Sequence, residues 1–475
     1  MIKIDKITKI GKITAFSMPT GLKIPPFNDP VRDLLILNTR LEAFQKENLS
    51  HPGLIKKGLK IENKSLESKY DNPSDSGSAF MYYTDNLLFS HEFITEFLLS
   101  SIEHVKSSLI KPGSTEKTLL REPVIFRAAL KKTLYQKQFA IIQTDCDDTA
   151  GHIEFNLFFV ITPALKENDL AGDNFLSLTN TADIISFFKK SSKNVIIDVE
   201  EFYEDGNFPS HMLNKDNFKY ALTRKMIMSV CEPLHIGLAN VAANCARIAR
   251  YKKPGFFNGL KAISAVFKTI LTSVTLKKQA LVSGVLRCFS QIHPSASIHP
   301  TAVIEGSVIG PNAKIGAYAV VRFSVIGEKV FVDDHAGIKF SVLGEGSYIA
   351  NNNVIFFTTV YPGAFLISGP YHFSCFGRNS AIMNSIPSDY RLDGKTIKVM
   401  TSKGLMDTGL KFAGSIFGHN TRVAAGLIFA PGRAVPNNLT LYPDPGRVIT
   451  SVPDQDSKPF SGPVKNIECE RPGNG

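Results

Sequence analysis

Arg322 and Lys339 are basic residues 17 positions apart. On a chain that repeats every 17 residues they would stack on one side, about one strand spacing (~4.8 Å) apart, as a phosphate clamp requires. Three imidazoles, His335, His372 and His419, could exchange a proton near neutral pH, and His335 is preceded by Asp333 and Asp334. Asn351, Asn352 and Asn353 offer either an asparagine ladder or hydrogen bonds to a polar substrate. In the N-terminal half, Asp85 ends a strand-like run, and Asp145, Asp147 and Asp148 cluster. Carboxylates of this kind hold Mg²⁺ or cap turns, and both readings stay open for them.

A 17-residue rhythm supplies the positioning. Ile292, Ile309, Ile326 and Leu343 form one row; Ile298, Ile315, Val332 and Ile349 a second; Ile304, Val321, Ile338 and Ile355 a third. The rows lie six, six and five residues apart, with small residues such as Ala296, Ala302, Ala313, Ala319, Ala336 and Ser347 at the expected corners. Three short strands per turn, each pointing one aliphatic residue inward, make a parallel β-helix stabilised between neighbouring turns. The rhythm fails over about 361–411 and resumes at Phe417, Val423, Phe429 and Val435.

Before the coil, residues 1–215 alternate strand-like and helix-like segments, which predicts an α/β layer domain. Ala79–Thr84, Phe139–Gln143, Ile153–Ile161 and Val195–Val199 read as strands, and Ser90 as the cap of a helix burying Phe93, Ile94, Phe97 and Leu98. The stretch 65–78 reads as a loop, and the proline-rich stretch 453–475 as a disordered tail. Residues 216–290 read as a helical linker. Its net charge stands out in a chain of net charge +11: Pro233–Ile304 holds nine Lys and Arg and no Asp or Glu. An amphipathic basic helix over 245–290 either packs on the coil or docks on an anionic membrane surface. Nucleic acid is disfavoured, because no aromatic-basic binding motif accompanies the charge. Six scattered cysteines without a CxxC, a start lacking the apolar core of a signal peptide, and no apolar run long enough to span a bilayer predict a cytoplasmic chain, at most peripheral at the inner membrane face.

The hexapeptide spacing resembles the left-handed β-helix of hexapeptide-repeat transferases. The whole layout resembles the two-domain sugar-1-phosphate nucleotidyltransferases whose C-terminal β-helix is an amino-sugar acetyltransferase, the bifunctional uridyltransferase/acetyltransferases among them. Pro30-Val-Arg-Asp-Leu-Leu-Ile-Leu-Asn-Thr-Arg-Leu41 is similar to the segment after the phosphate loop, and Pro233-Leu-His-Ile-Gly-Leu-Ala-Asn240 to the hinge before the β-helix. Arg391-Leu-Asp-Gly-Lys-Thr-Ile-Lys-Val399, then Asp407-Thr-Gly409 and Gly414-Ser-Ile-Phe-Gly418, resembles the excursion and return of archaeal-type members.

The resemblance implies a nucleotidyltransferase-like N-terminal domain, a helical linker and a β-helix over 291–452, assembled as a homotrimer. It implies that Arg322 and Lys339 bind the phosphate and sugar of a sugar phosphate or nucleotide sugar, with acetyl-CoA or another acyl-CoA as co-substrate. Asp85 matches the family's Mg²⁺-holding Asp, so Mg²⁺ is implied only if that domain is active. The departures are specific. Where the family carries "LAAGxGxRL", this chain has Phe16-Ser-Met-Pro-Thr-Gly-Leu-Lys-Ile-Pro25, with one glycine and two prolines, which cannot form the same anion cradle. The family's catalytic His falls on Asn351, which cannot act as a base. His372, in Tyr371-His-Phe-Ser-Cys-Phe-Gly377, matches the same pattern one coil on and becomes the implied base. The expected function is acyl transfer to an amino sugar in envelope or sugar-nucleotide metabolism. The alternatives are a non-catalytic nucleotide-sugar-binding or membrane-docked scaffold, and residual nucleotidyl transfer.

Overall fold

The computed structural model describes residues 12–65, 79–109, 123–162, 180–205, 219–252, 286–287 and 289–444. The predicted tail, the loop after Ser65 and residues 253–285 of the basic linker lie outside them.

The N-terminal domain is a mixed sheet with helices packed on it. Its main strands run in the order Lys193–Ile197, Val124–Lys131, His152–Ile161, Ala79–Thr84, Lys12–Met18 and Lys60–Ser65. His152–Ile161 is antiparallel to both neighbours; the other pairings are parallel. The central strands read as nearly unbroken apolar runs because both faces are covered. The helix His91–Leu109 follows Ser90, whose Oγ accepts from the Phe93 N–H at 3.3 Å, and Phe93, Ile94, Phe97 and Leu98 are all buried. Phe139–Gln143 is not a strand. The short helix Leu134–Gln138 precedes it, and the segment buries Phe139, Ala140 and Ile141 as irregular chain. Apolar runs this short do not distinguish strand from buried loop.

Residues 291–441 form the left-handed parallel β-helix. The first wall has eight parallel strands from Gln291–Ile292 to Ala434–Val435, and the second has eight from Ser297–Ile298 to Thr440–Leu441. The third has five: Val303–Glu305, Val320–Arg322, Gly337–Lys339, Val354–Phe356 and Pro370–His372. Ile309, Ile326 and Leu343 are aligned in register, as are Ile315, Val332 and Ile349, and Val321, Ile338 and Ile355; all are buried. Ile292, on the terminal rung, is 45% exposed because no turn among the described residues lies beneath it.

The excursion is narrower than the expected 361–411. Two further turns of coil occupy its first part, through Phe365–Ile367, Pro370–His372, Cys375–Phe376 and Ala381–Met383. The sequence loses phase here because one turn is a residue short: Ile355 aligns with Tyr371, Val360 with Phe376 and Leu366 with Ile382, each 16 positions on. Asn353 fills the gap. Its Nδ2 donates to the Ala350 and Leu366 carbonyls, and its Oδ1 accepts from the Gly369 N–H. The true excursion follows Ile386–Pro387, carries a hairpin of Lys398–Thr401 and Gly404–Asp407, and returns at Ile416–Phe417.

The start of the stretch read as a helical linker instead holds two strands, Lys219–Leu222 and Ile227–Ser229, before the helix Pro233–Lys252. That helix lies against the first wall of the coil and buries its outward residues Val325, Val342, Thr359, Cys375 and Ile416. One apolar cluster accordingly runs from the N-terminal sheet through the helix to Phe357, Tyr361, Cys375 and Ile416. Arg247 does not belong to a solvated basic face: it is half-buried and donates to the Gly306 carbonyl and the Asn244 Oδ1. Arg250 pairs with Glu92 at 2.8 Å.

The corner from the third wall to the first carries a spine of phenylalanines. Phe323, Phe340, Phe357 and Phe373 stack at 5.2, 4.8 and 5.4 Å between ring centroids, and Phe412 and Tyr390 of the excursion continue the stack. Each of the four has a φ of 47–51°, a left-handed conformation that costs a bulky residue about 1–2 kcal/mol. Stacking and burial against Tyr220 and the helix offset that cost.

Candidate functional site

The third wall brings the chemically interesting residues into one column. Glu305 aligns with Arg322, Arg322 with Lys339, Lys339 with Phe356, and Phe356 with His372. All occupy the third position of their strands, and since the middle residue of each strand points into the core, the column faces outward. The stacking of Arg322 beneath Lys339 is as expected. The short turn then places His372 two rungs above Lys339, in line with both cations.

Two residues of the column escaped the sequence reading. Glu305 accepts from the Arg322 Nε at 2.7 Å, and its side chain is only 7% exposed. The wall therefore does not present two free cations: Arg322 is committed to a mostly buried carboxylate, while Lys339 is exposed. Phe356 lies between Lys339 and His372 and meets the His372 ring edge-on at 6.0 Å. The periodicity alone contained the Glu305 signal, since Glu305, Arg322 and Lys339 are spaced by 17.

His372 is held by the excursion. Its Nδ1 lies 3.3 Å from the Asp389 Oδ2, and a neutral imidazole in that pairing carries its proton on Nδ1 and a lone pair on Nε2. Nε2 is covered and has no hydrogen-bond partner among the described residues. A buried polar atom left unsatisfied costs about 1–3 kcal/mol, which a donor arriving at Nε2 would relieve. Asp389 is positioned where its carbonyl accepts from the Ala413 N–H and Tyr390 stacks on Phe412. Base plus orienting carboxylate is an arrangement suited to proton abstraction.

The other candidates lie elsewhere. Asn351 is exposed at the corner before the third wall, off the column, and Asn352 shares that corner with a φ of 57°. With Asn353 used inside the coil, the three form no ladder. His335 sits at a corner with its ring stacked on Tyr318 at 5.1 Å. His419 is buried between the two domains: its Nδ1 accepts from the Arg378 N–H at 2.8 Å and its Nε2 approaches the Asp29 Oδ2 at 3.2 Å. Burial raises the Asp29 carboxyl, but hydrogen bonds from His419 and Arg378 outweigh it and hold the group below the usual value.

In the N-terminal domain, Asp85 lies where the strands Lys12–Met18 and Ala79–Thr84 end. Its Oδ1 accepts from both the Thr20 N–H at 3.0 Å and the Thr20 hydroxyl at 2.6 Å. Desolvation pushes its carboxyl up, against the pull of Thr20. The peptide N–H that a phosphate loop would aim at a ligand is here spent on Asp85, so the residues present fit an Mg²⁺–nucleotide site poorly. The acidic cluster is dispersed: Asp145 accepts from Asn86 and Ser229, Asp147 pairs with Arg127 and Lys189, and Asp148 with Lys132. Among the described residues no group of three His, Cys, Asp or Glu could hold a metal ion, and no helix is long and apolar enough to cross a membrane.

Fold and site together define a hexapeptide-type parallel β-helix joined to an N-terminal α/β domain. Residues 289–365 match the family described as GMPPB C-terminal domain, in agreement with the resemblance carried by the coil and its flanks. Among solved structures, the UDP-N-acetylglucosamine O-acyltransferase of Moraxella catarrhalis is 19% identical, covering 30% of this chain and 53% of that one with a TM-score of 0.17. A Bacillus cereus structure titled putative acetyltransferase is 16% identical, covering 33% of this chain and 74% of that one with a TM-score of 0.16. The chain thus spans about half the length of the first of these. A search of curated proteins gives no match.

Proposed function

We propose that the third wall is an acyl-transfer site for an amino-sugar phosphate or nucleotide sugar, with acetyl-CoA or a related thioester as donor. The observation that carries this reading is the alignment of Lys339, Phe356 and His372 with Asp389 behind the imidazole. In the proposed step the neutral sugar amine attacks the thioester carbonyl while His372 Nε2 takes a proton from its nitrogen; the C–N bond forms, the C–S bond breaks, and the thiolate leaves with that proton returned by His372. Lys339 would hold the phosphate, with Arg322 fixing Glu305 beneath it and Phe356 covering an apolar face of the sugar. A second copy of the chain would complete the donor groove.

The test is thiol release from acetyl-CoA with glucosamine-1-phosphate and other amino-sugar phosphates. His372→Gln should lower kcat by about 10²–10⁴-fold, and Lys339→Gln should raise KM with less effect on kcat. Absence of thiol release from the intact protein, or an unchanged rate in His372→Gln, refutes the proposal.

A second reading, a nucleotide-sugar-binding scaffold without turnover, draws on two observations: Glu305 neutralises Arg322, and Thr20 closes the strand ends around Asp85. It predicts saturable nucleotide-sugar binding with no consumption of thioester.

A further inference from the structure

The excursion from the coil carries a second, chemically distinct concavity. A cleft of about 510 Å³ opens between the hairpin Lys398–Thr401/Gly404–Asp407, the loop before it, and the coil corner at 430–433. Its charged lining is Arg391, Lys395, Lys398, Lys411, Arg433 and a single carboxylate, Asp407. Arg391 is spent on Asp393, to which its guanidinium donates twice. Asp407 accepts from the Gly409 N–H at 2.8 Å and from Thr396 Oγ1 at 2.7 Å, which hold its carboxyl below the usual range and keep it ionised. Setting the Arg391–Asp393 pair aside leaves four cations against one carboxylate, a net charge of +3 on the lining. Cations concentrated on a low-dielectric concavity focus the field toward an incoming anion.

The cleft is built rather than incidental. Ile397, which lines it, and Val399 of the hairpin are buried in one cluster with Leu234, Ile141 and Ala413, so the hairpin is pinned to the N-terminal domain. The hairpin tip is pinned as well, since the Ser402 N–H and hydroxyl both donate to Glu232, at 2.9 and 2.6 Å. On the opposite wall Gly432 has a φ of +72°, and a Cβ there would meet Ile397 Cγ2, the Lys398 carbonyl and Val399 Cγ1, each at 2.9 Å. The walls therefore touch below the cations and cannot close further. Leu405, which is exposed, and Pro431 add an apolar ledge to the lining.

We propose that this cleft binds a diphosphate-bearing small molecule, a nucleoside diphosphate or a coenzyme built on one. A diphosphate carries two to three negative charges and enough acceptor oxygens for several ammonium and guanidinium donors at once. The inference stands apart from the transfer reading, because binding here is expected whether or not His372 acts on a substrate.

Isothermal titration of the full chain with inorganic pyrophosphate, ADP and adenosine tests it. Pyrophosphate and ADP should bind saturably, and adenosine should not. Tighter binding of ADP assigns a nucleoside to the ledge; equal binding assigns the diphosphate alone. Lys395→Gln/Lys398→Gln, both at exposed positions, should weaken the phosphate ligands by about 100-fold with an unchanged circular-dichroism melt. Arg433→Gln should weaken them by about 10-fold, while Lys314→Gln, at an exposed position of the second wall, should leave them unaltered. No saturable binding of pyrophosphate or ADP to the intact protein overturns the assignment. So does a loss of less than tenfold in the double lysine variant.

Discussion

Phe357 offers the sharpest test of how the two domains are joined. It is buried, stacks on Phe340 at 4.8 Å and Phe373 at 5.4 Å, meets Tyr220 edge-on at 5.8 Å, and holds a φ of 47°. Removing a ring this enclosed costs about 3–5 kcal/mol. The left-handed backbone makes a further prediction that ordinary core burial does not. Phe357→Ala keeps the conformational cost of a Cβ at positive φ, whereas Phe357→Gly removes it, so the glycine variant should be the more stable by about 1 kcal/mol. At an ordinary buried site the order would be the reverse. Urea unfolding followed by circular dichroism measures both variants against the parent. Alanine equal to or better than glycine, or a loss below about 1 kcal/mol for either, would refute the reasoning that stacking outweighs a strained corner.

Arg322→Gln removes the cation paired with the mostly buried Glu305 and should destabilise the coil by about 1–2 kcal/mol, a figure discounted because Arg322 is itself 40% exposed. Adding Glu305→Gln should recover most of that loss in a thermal melt; a double variant no better than the single one contradicts the pairing. Burial lowers His91 from 6.5 to about 4; Arg250, His51 and Arg224 add to the fall and Glu92 opposes it. The unfolded chain therefore binds the extra proton across that window, so stability should be full above pH 6.5 and fall as the pH drops toward 4. His91→Gln should flatten the slope of melting temperature against pH, and a slope unchanged by it removes His91 as the cause. Gly414→Ala should disrupt re-entry into the coil, because a Cβ there collides with the His372 carbonyl, Ser374 Oγ and Phe373 backbone. Its melting temperature should drop, and a variant as stable as the parent would refute the contact.

The coil was legible because its core obeys one rule, an aliphatic residue every 17 positions, and that rule reports burial directly. The same rule placed Arg322 beneath Lys339. It failed at Gly369, where a turn of 16 shifts every later residue by one, and so two ordinary turns were read as part of an insertion. Asp389 lies 17 positions after His372, just past the coil strand Ile386–Pro387, and was missed because 361–411 was read as lying outside the rhythm. The phenylalanine spine was visible in the sequence at the same 17-residue interval, but corners are normally occupied by small or polar residues, and nothing local says that a bulky ring will be accepted there. The partners of Arg247 and Arg250 were hidden for a related reason. A basic residue on an amphipathic helix looks solvated until its carbonyl or carboxylate acceptor, here Gly306 and Glu92, arrives from a distant part of the chain.

The helix Pro233–Lys252 lies against the strands Val342–Leu343, Thr359–Val360 and Ile416–Phe417 in the middle of the first wall. Any rotationally symmetric assembly of this chain is therefore left with two flanks. The edge between them, marked by Tyr318 at 60% exposure and the ring of His335 above it, is where a neighbouring subunit could approach without first displacing the chain's own N-terminal half.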